Sequence, residues 1–153
     1  MTAPAHFHAY HWQGERRVYD QEADRRPGLG PGPSPGFLAN TCTPIRISDW
    51  LLRPASAIAH TCRTAEEAAE WFRREQGRAA PAFAMEHDRE RARDRARLAA
   101  ETLAWGGDVH AGWYLRGTGY LTLDVIGCSP NHTDPSLPCP LRGWGEVRRG
   151  SVP

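Results

Sequence analysis

The chain of 153 residues carries 19 basic and 18 acidic side chains, which gives a formal net charge of +1. This length suits one domain with a single core, and the even charge balance excludes a general electrostatic attraction to nucleic acid or to an anionic membrane. All 19 basic residues are arginine, which is typical of GC-rich coding sequence, so we interpret the source as a high-GC bacterium, or a phage or plasmid of one.

The N-terminal residues 1–20 are predicted to form a strand pair without a secretory signal. Neither a basic region nor an uninterrupted apolar region precedes Trp12, and no stretch of the chain reaches the roughly 18 apolar residues that a membrane span needs. We therefore expect a cytoplasmic protein without a membrane partner, whose cysteines are thiols. His6 and His8 alternate onto one face of the first strand, and a turn at Gly14 would begin the return strand.

Proline and glycine dominate residues 21–36, which we predict to be a linker or a long surface loop, because proline removes backbone donors and glycine costs conformational entropy. An α+β core is predicted over residues 37–128, in a single domain together with residues 1–20. Short β-compatible runs occur within residues 44–62. Residues 129–153 turn to proline, asparagine, serine and glycine, and they are predicted to be an irregular tail.

Two helices are predicted between the strands of the core. Thr64 and Glu67 form a capping box, so a helix begins after Thr64 and ends at Gly77. A second helix runs from about Pro81 to Trp105, where two glycines end it. Small and apolar side chains recur along it at intervals of three, four and seven residues, so its inner face can pack closely against a sheet.

The middle of the second helix, residues 86–97, holds five arginines and four acids. Arginines at this density could line a phosphate groove, but acids precede arginines by three residues, which favours a solvated, self-paired helix face. Binding of nucleic acid through this helix would need further arginines, such as Arg148 and Arg149. The predicted pairs are Glu86 with Arg89, Glu90 with Arg93, and Asp94 with Arg97.

Residues 109–126 alternate between apolar and other side chains in two runs, which predicts a β-hairpin. A three-residue loop over residues 117–119, with Gly119 in the left-handed region, pairs Trp113 with Leu123 and puts the apolar side chains of both strands on one face. The opposite face of this hairpin holds His110, Tyr114, Arg116, Tyr120, Thr122 and Asp124.

These elements predict the α+β class, with two helices packed on one face of a small, mainly antiparallel sheet, a C-terminal β-hairpin and an irregular tail. The chain contains no catalytic motif such as a Walker loop or a Gly-x-Ser-x-Gly turn, so we interpret it as a small binding or accessory protein that acts through an exposed sheet face. A protein partner is favoured, and nucleic acid is the alternative. The predicted contact residues are His110, Tyr114, Arg116, Tyr120 and Asp124.

A small enzyme is the competing interpretation of the same face. His110 and Asp124 lie on neighbouring predicted strands, about one diagonal step apart, so they could act as an acid/base pair. An aromatic-rich polar face could equally stack bases or contact a protein. The same set of side chains is also typical of the solvated face of an ordinary antiparallel sheet.

A zinc-stabilised domain is the third interpretation. The spacing of Cys128, His132 and Cys139 places nitrogen and sulfur ligands in a loop, where structural zinc is often held. His6 and His8 share a strand face and could chelate a metal ion together. The chain lacks paired Cys-x2-Cys motifs, so spacing alone does not define the site. The fourth ligand of the tail site would come from Cys42, Cys62 or His60.

Overall fold

The computed structural model describes residues 2–141. The strands are β1 (His6–Glu15), β2 (His60–Cys62), β3 (Val109–Tyr114) and β4 (Gly119–Cys128). The α-helices are α1 (Arg16–Tyr19), α2 (Pro35–Ala39), α3 (Ala65–Ala79), α4 (Glu86–Glu90) and α5 (Ala92–Ala104). Short 3-10 helices span Ile47–Leu52, Ala55–Ala57 and Ala80–Ala82. None of the helices within residues 2–141 is both long enough and apolar enough to cross a membrane.

The four strands form one antiparallel sheet in the order β2-β1-β4-β3. This arrangement confirms the predicted α+β class, including its C-terminal hairpin. The two long central strands pair along their whole length, from His6 opposite Cys128 to Glu15 opposite Gly119. Because successive side chains point to opposite faces, the sheet has one apolar face and one largely polar face.

The N-terminal segment is a single strand, and the predicted strand pair is wrong. β1 continues through Gly14, where the sequence predicts a turn, and α1 then replaces the predicted return strand. Pairing with β4 supplies β1 with backbone hydrogen bonds over its full length, which a tight turn at this point would have removed. Gly14 lies inside the strand, where a Cβ would lie 2.6 Å from the ring of Trp12 and that ring would have to move.

The C-terminal hairpin forms as predicted but in a different register. Trp113 lies opposite Leu121, two residues earlier than the predicted partner. The three-residue loop is centred on Gly117, which has a φ of 78°, and the Leu115 amide closes the loop by donating to the Gly119 carbonyl at 2.9 Å. A shift of two residues keeps every side chain on its face, so the apolar and polar faces are those predicted.

Helices α3 and α5 cover the apolar face. Thr64 Oγ1 accepts from the Glu67 amide at 3.1 Å, and Glu67 Oε2 accepts from the Arg63 amide at 2.8 Å, so a side-chain cap begins α3 where it was predicted. The helix continues past Gly77 to Ala79. The buried residues of this layer include Phe7, Ala68, Trp71, Phe72, Ala99, Leu103, Val109, Trp113, Leu121, Leu123 and Val125.

The second predicted helix is divided in two. α4 ends at Glu90, and Arg91, whose backbone is not helical, separates it from α5. The Arg89 side chain donates to the Phe83 carbonyl at 2.5 Å, and the Phe83 ring stacks on Trp113 with ring centroids 5.0 Å apart. The chain before α5 therefore folds back over the sheet. Met85, one of the apolar side chains in the stripe predicted for the inner face of this helix, is 51% exposed.

Irregular chain covers the opposite, largely polar face of the sheet, and this loop-covered face forms the second layer of the fold. Most residues of the segment 21–36 are exposed, but Arg25 within it is buried, and its Nε donates to the Thr43 carbonyl at 2.7 Å. Thr43 in turn contacts the sheet, with 2.6 Å between its Oγ1 and that of Thr122. The apolar cluster on this side comprises Tyr10, Trp50, Leu51, Ile126, Cys128 and Cys139.

Candidate metal centre and the polar face of the sheet

Four potential metal ligands meet at one end of the polar face. His6 and His8 project from β1, and the antiparallel register places Cys128 of β4 opposite His6. Cys139 reaches the same point from the irregular segment that follows β4. The ligand atoms of all four side chains lie within 4.8 Å of one another, and all but His6 are buried. This group could hold a metal ion.

Distances within the cluster match the edges of a tetrahedral coordination shell. His6 Nε2 and His8 Nε2 are 3.1 Å apart, and each of them is 3.4 Å from Cys139 Sγ. Zinc bonds of about 2.0–2.1 Å to nitrogen and about 2.3 Å to sulfur imply tetrahedral edges of about 3.3 Å between nitrogens and about 3.6 Å between nitrogen and sulfur. The three ligand atoms therefore already surround a position of the size that a metal ion needs.

Thr61 orients one of the imidazoles. His8 Nδ1 lies 2.9 Å from Thr61 Oγ1, and donation from Nδ1–H leaves the lone pair of Nε2 directed at the cluster. Burial, together with the charge of His6, lowers the pKa of His8 to about 4. The ring is therefore neutral at physiological pH, which is the form that binds metals.

The structure brings together only part of the ligand set predicted from the tail. Cys128 and Cys139 both belong to the cluster, but His132 does not, and its predicted role as a ligand is wrong. The His132 ring packs edge-on against Trp105, with ring centroids 4.9 Å apart. Its place is taken by the two histidines of β1, which strand pairing brings to Cys128 from the other end of the chain.

The predicted candidates for the fourth ligand lie elsewhere. Cys42 is buried in the loop-covered layer, whereas His60 and Cys62 stand on β2 and form a second group with Glu67. Burial, and to a smaller extent the Glu67 charge, raises the pKa of Cys62 to about 11. His60 Nε2 lies 3.2 Å from the Glu67 carboxylate. A protonated thiol beside an engaged carboxylate is a poorer ligand set than the four-residue cluster.

The segment between the two cysteines is fixed by hydrogen bonds. Asn131 is fully buried, and its Nδ2 donates to the Gly127 carbonyl at 2.8 Å and to the Asp108 carboxylate at 3.1 Å. Its Oδ1 accepts from the amides of Thr133 and Asp134, each at 3.0 Å. As far as residue 141, the predicted irregular tail is therefore a defined loop that holds Cys139 near β4.

A histidine–aspartate pair occupies the middle of the polar face. His110 of β3 lies directly opposite Asp124 of β4, rather than one diagonal step away. His110 Nδ1 donates to Asp124 Oδ1 at 2.5 Å, and Trp50 Nε1 donates to Asp124 Oδ2 at 2.7 Å. The Asp124 side chain is completely buried, whereas that of His110 is 37% exposed. The carboxylate is thus held from two sides, and it fixes the imidazole.

The predicted contact face is more covered than the alternation pattern implies. Asp124 and Thr122 are buried under the chain that joins α1 to β2, so the expectation that Asp124 is exposed is wrong. Loops that pack on a sheet do not leave a periodic signal in the sequence, and the pattern could not reveal them. The contact role of the remaining side chains stays a prediction. The predicted contact residues that reach the surface, fully or in part, are His110, Tyr114, Arg116 and Tyr120.

Aromatic rings and an arginine form the outer part of this face. Tyr120 lies 4.5 Å from Tyr19 and 5.3 Å from Tyr114 between ring centroids, and the Arg16 guanidinium lies 4.4 Å from the centroid of Tyr114. Gly112 makes the arrangement possible, since a Cβ there would collide with the Tyr120 hydroxyl. Tyr114 remains 42% exposed. This surface suits stacking or contact with a partner.

The arginines of the second helix do not form the predicted series of ion pairs. Within residues 86–97, the structure shows Asp94 paired with Arg97 at 3.8 Å. Arg89 is instead engaged by a main-chain carbonyl. Arg148 and Arg149, which a nucleic-acid surface would have needed, lie outside the described residues 2–141.

A second buried arginine contrasts with Arg25 in the loop-covered layer. Arg53 is 2% exposed, and none of its three side-chain nitrogens has a hydrogen-bond partner within the described part of the chain. Its guanidinium lies 4.2 Å from the ring centroid of Phe37. Burial lowers the pKa of Arg53 to about 10, so the group is still a cation at neutral pH.

Comparisons of this chain with family models, curated proteins and solved structures find no match. The residues described above therefore carry the functional inference by themselves.

Proposed function

We propose that this protein is a zinc-stabilised binding domain, with His6, His8, Cys128 and Cys139 as a Cys2His2 centre. The observation that carries the proposal is the convergence of two imidazole nitrogens and one sulfur at tetrahedral spacing. Each hydrogen bond needs a proton on one atom and a lone pair on the other, and an imidazole nitrogen offers only one of the two. The three close contacts among two imidazole nitrogens and a thiol therefore cannot all be hydrogen bonds. A shared cation satisfies all of them.

Donor chemistry favours zinc over other biological cations. Calcium and magnesium prefer oxygen ligands, whereas two thiolates and two imidazoles in a tetrahedron are typical of zinc. Four protein side chains fill that tetrahedron and leave no position for water or a substrate. Such a closed and largely buried site is structural, and its binding energy contributes to folding.

The proposed centre fastens the loop that follows β4 to the first residues of β1. A partner would then be bound by the surface rather than by the metal, through the exposed residues Tyr114, Arg116 and Tyr120 and the imidazole of His110. A protein partner suits a charge-balanced surface with exposed aromatic rings. Nucleic acid is the alternative, and steeply salt-dependent binding of a random-sequence oligonucleotide would support it.

Metal analysis of protein purified without added metal tests the zinc centre. We expect about one zinc per chain, and loss of most of it in Cys128→Ser and Cys139→Ser, because each variant removes one thiolate ligand. Two variants serve as matched controls. His132→Ala removes the histidine that tail spacing favours, and Cys42→Ser removes a buried cysteine outside the cluster, so both should retain the metal.

A measurement on the unaltered chain covers the case in which ligand variants do not fold. Cobalt exchanged into a tetrahedral site with two thiolates gives strong visible and sulfur-to-metal absorption bands, and these should appear with one equivalent of the ion. Protein that binds neither zinc nor cobalt overturns the proposal. If His132→Ala loses its zinc while Cys139→Ser retains it, the proposed ligand set is overturned.

A further inference from the structure

The surroundings of His110 contain more than a structural hydrogen bond. Both oxygens of Asp124 accept hydrogen bonds, from His110 Nδ1 and from Trp50 Nε1. A carboxylate held from two sides cannot rotate, and it therefore sets both the plane and the tautomer of the imidazole. With the proton on Nδ1, the lone pair of His110 is on Nε2.

Proton transfer to or from a bound molecule requires that the imidazole be accessible, while the carboxylate that orients it can be buried. The Asp124 side chain is fully buried, and the His110 side chain is 37% exposed. No hydrogen bond to His110 Nε2 is present within residues 2–141. A buried carboxylate that orients a histidine with one accessible nitrogen is the arrangement of a general base.

A cavity of about 320 Å³ adjoins this histidine at the edge strand β3. Its walls include His110, Arg95 and Thr102, the last two from α5, together with apolar side chains and Asp108, whose carboxylate accepts from the Gly127 amide and from Asn131 Nδ2. The Arg95 guanidinium lies 5.3 Å from the ring centroid of Trp113, which places a cation on the sheet side of α5. Since these donors already engage the Asp108 carboxylate, the Arg95 guanidinium is the charged group that suits the cavity to a small anionic molecule.

We propose that His110 Nε2 is the general base of a hydrolytic site for a small, negatively charged ester bound through Arg95. Nε2 takes a proton from water while the water oxygen bonds to the ester carbonyl carbon. The bond from that carbon to the leaving oxygen then breaks, and the imidazolium returns its proton to the leaving oxygen. Asp124 is a positioning residue for His110. The activity is independent of the proposed zinc centre.

The charged groups around His110 define the expected pH profile. Burial lowers the pKa of His110, but the hydrogen bond and the charge of Asp124 raise it by more, so the pKa lies above the ordinary value for histidine. The positive charges of Arg95 and Arg25 act in the lowering direction. The rate should rise with pH as His110 loses its proton, and Asp124→Asn should move this rise to lower pH.

Hydrolysis of two chromogenic esters tests the site. 4-Acetoxy-3-nitrobenzoate is negatively charged, and 4-nitrophenyl acetate is its neutral counterpart. His110→Ala should lower kcat/KM for the anionic ester by about 100-fold or more, the lower bound for a general base. Arg95→Met should raise KM for the anionic ester and leave the neutral one unchanged. His87→Ala, which removes an exposed histidine on α4, is the control and should behave like the parent protein.

The outcomes separate this site from the zinc centre. Equal rates for His110→Ala and His87→Ala, or a preference for the anionic ester that survives Arg95→Met, overturn the inference. Full zinc content in a slow His110→Ala variant supports it, since the fold and the metal are then intact. For unaltered protein, diethyl pyrocarbonate should modify His110 at a rate that increases as the imidazole loses its proton, and an unreactive His110 also overturns the proposal.

Discussion

The two faces of the sheet are buried in different ways. On the helix-covered face, side chains such as Phe72, Leu103 and Trp113 pack with apolar neighbours. On the loop-covered face, the buried residues include polar side chains such as His8 and Asp124, which are engaged by hydrogen bonds. The helix-covered face is held mainly by dispersion and the hydrophobic effect, whereas the loop-covered face combines an apolar cluster with specific polar contacts.

The difference follows from the backbone of what covers each face. A helix satisfies its own amides and carbonyls, so it can present an entirely apolar stripe to a sheet. Loops have unpaired backbone groups, which must find partners when they are buried. Arg25, which donates to the Thr43 carbonyl, and Asn131, whose Oδ1 accepts from the Thr133 and Asp134 amides, provide such partners. The proposed metal centre and the His110–Asp124 pair lie on the loop-covered face because it is the face that already holds polar groups in fixed positions.

The largest expected effect concerns the helix-covered face. Phe72→Ala should lower the free energy of unfolding by about 3–5 kcal/mol, because it removes a fully buried ring and leaves a cavity beside Trp113. Leu98→Ala is the control on α5, where the side chain is 54% exposed, and should change it by less than about 0.5 kcal/mol. Urea unfolding followed by circular dichroism gives both values. Equal effects would contradict the assignment of the core.

An intermediate effect is expected for the two buried arginines of the loop-covered face, with opposite signs. Arg53→Met should raise the free energy of unfolding by about 1–3 kcal/mol, because it replaces a buried, unpaired cation by an apolar chain of similar length. Arg25→Met should lower it by about 1.5–3 kcal/mol, because main-chain carbonyls then lose a charged donor. A destabilised Arg53→Met variant would show that its guanidinium is paired in solution.

The smallest effect concerns the pH dependence of stability. Because the folded pKa of His110 lies above its unfolded value, the stabilisation from its pairing with Asp124 is fully present below about pH 6.5. It is lost as the pH rises through the folded pKa, and solvent at the partly exposed ring keeps the effect small. His110→Gln should flatten the decline of unfolding free energy above pH 6.5. An unchanged slope would argue against a charged pair.

The helix-covered half of the fold was predictable because its apolar side chains recur at regular intervals in the sequence. Alternation over β3 and β4 assigned every residue of the hairpin to its face, and the cap at Thr64 placed the start of α3. The register was not predictable, since pairing Trp113 with Leu121 or with Leu123 gives the same faces. Similarly, nothing local to Gly14 indicates that β4 will pair with β1 along its full length and convert the predicted turn into strand.

The sites were predictable only as fragments. Cys128 and Cys139 were found from their spacing, and His6 and His8 from sharing a strand face, but only the pairing of β1 with β4 joins the two pairs. For the acid/base pair, alternation placed His110 and Asp124 on one face. The burial of Asp124 depends on Trp50, which belongs to a segment whose sequence has no period. Long-range pairing and loop packing leave no trace in local patterns.

The separation of the proposed metal ligands along the chain determines when, during synthesis of the protein, all of them are present. His6 and Cys139 have ligand atoms 3.4 Å apart, but they are separated by 133 positions in the sequence. At about 5–20 residues per second, translation adds Cys139 on the order of 10 s after His6. A metal ion can therefore not be held by all four ligands before Cys139 has been added. It would bind only after β1 and β4 have paired, so that metal occupancy marks chains whose synthesis has passed Cys139 and whose sheet is correctly assembled.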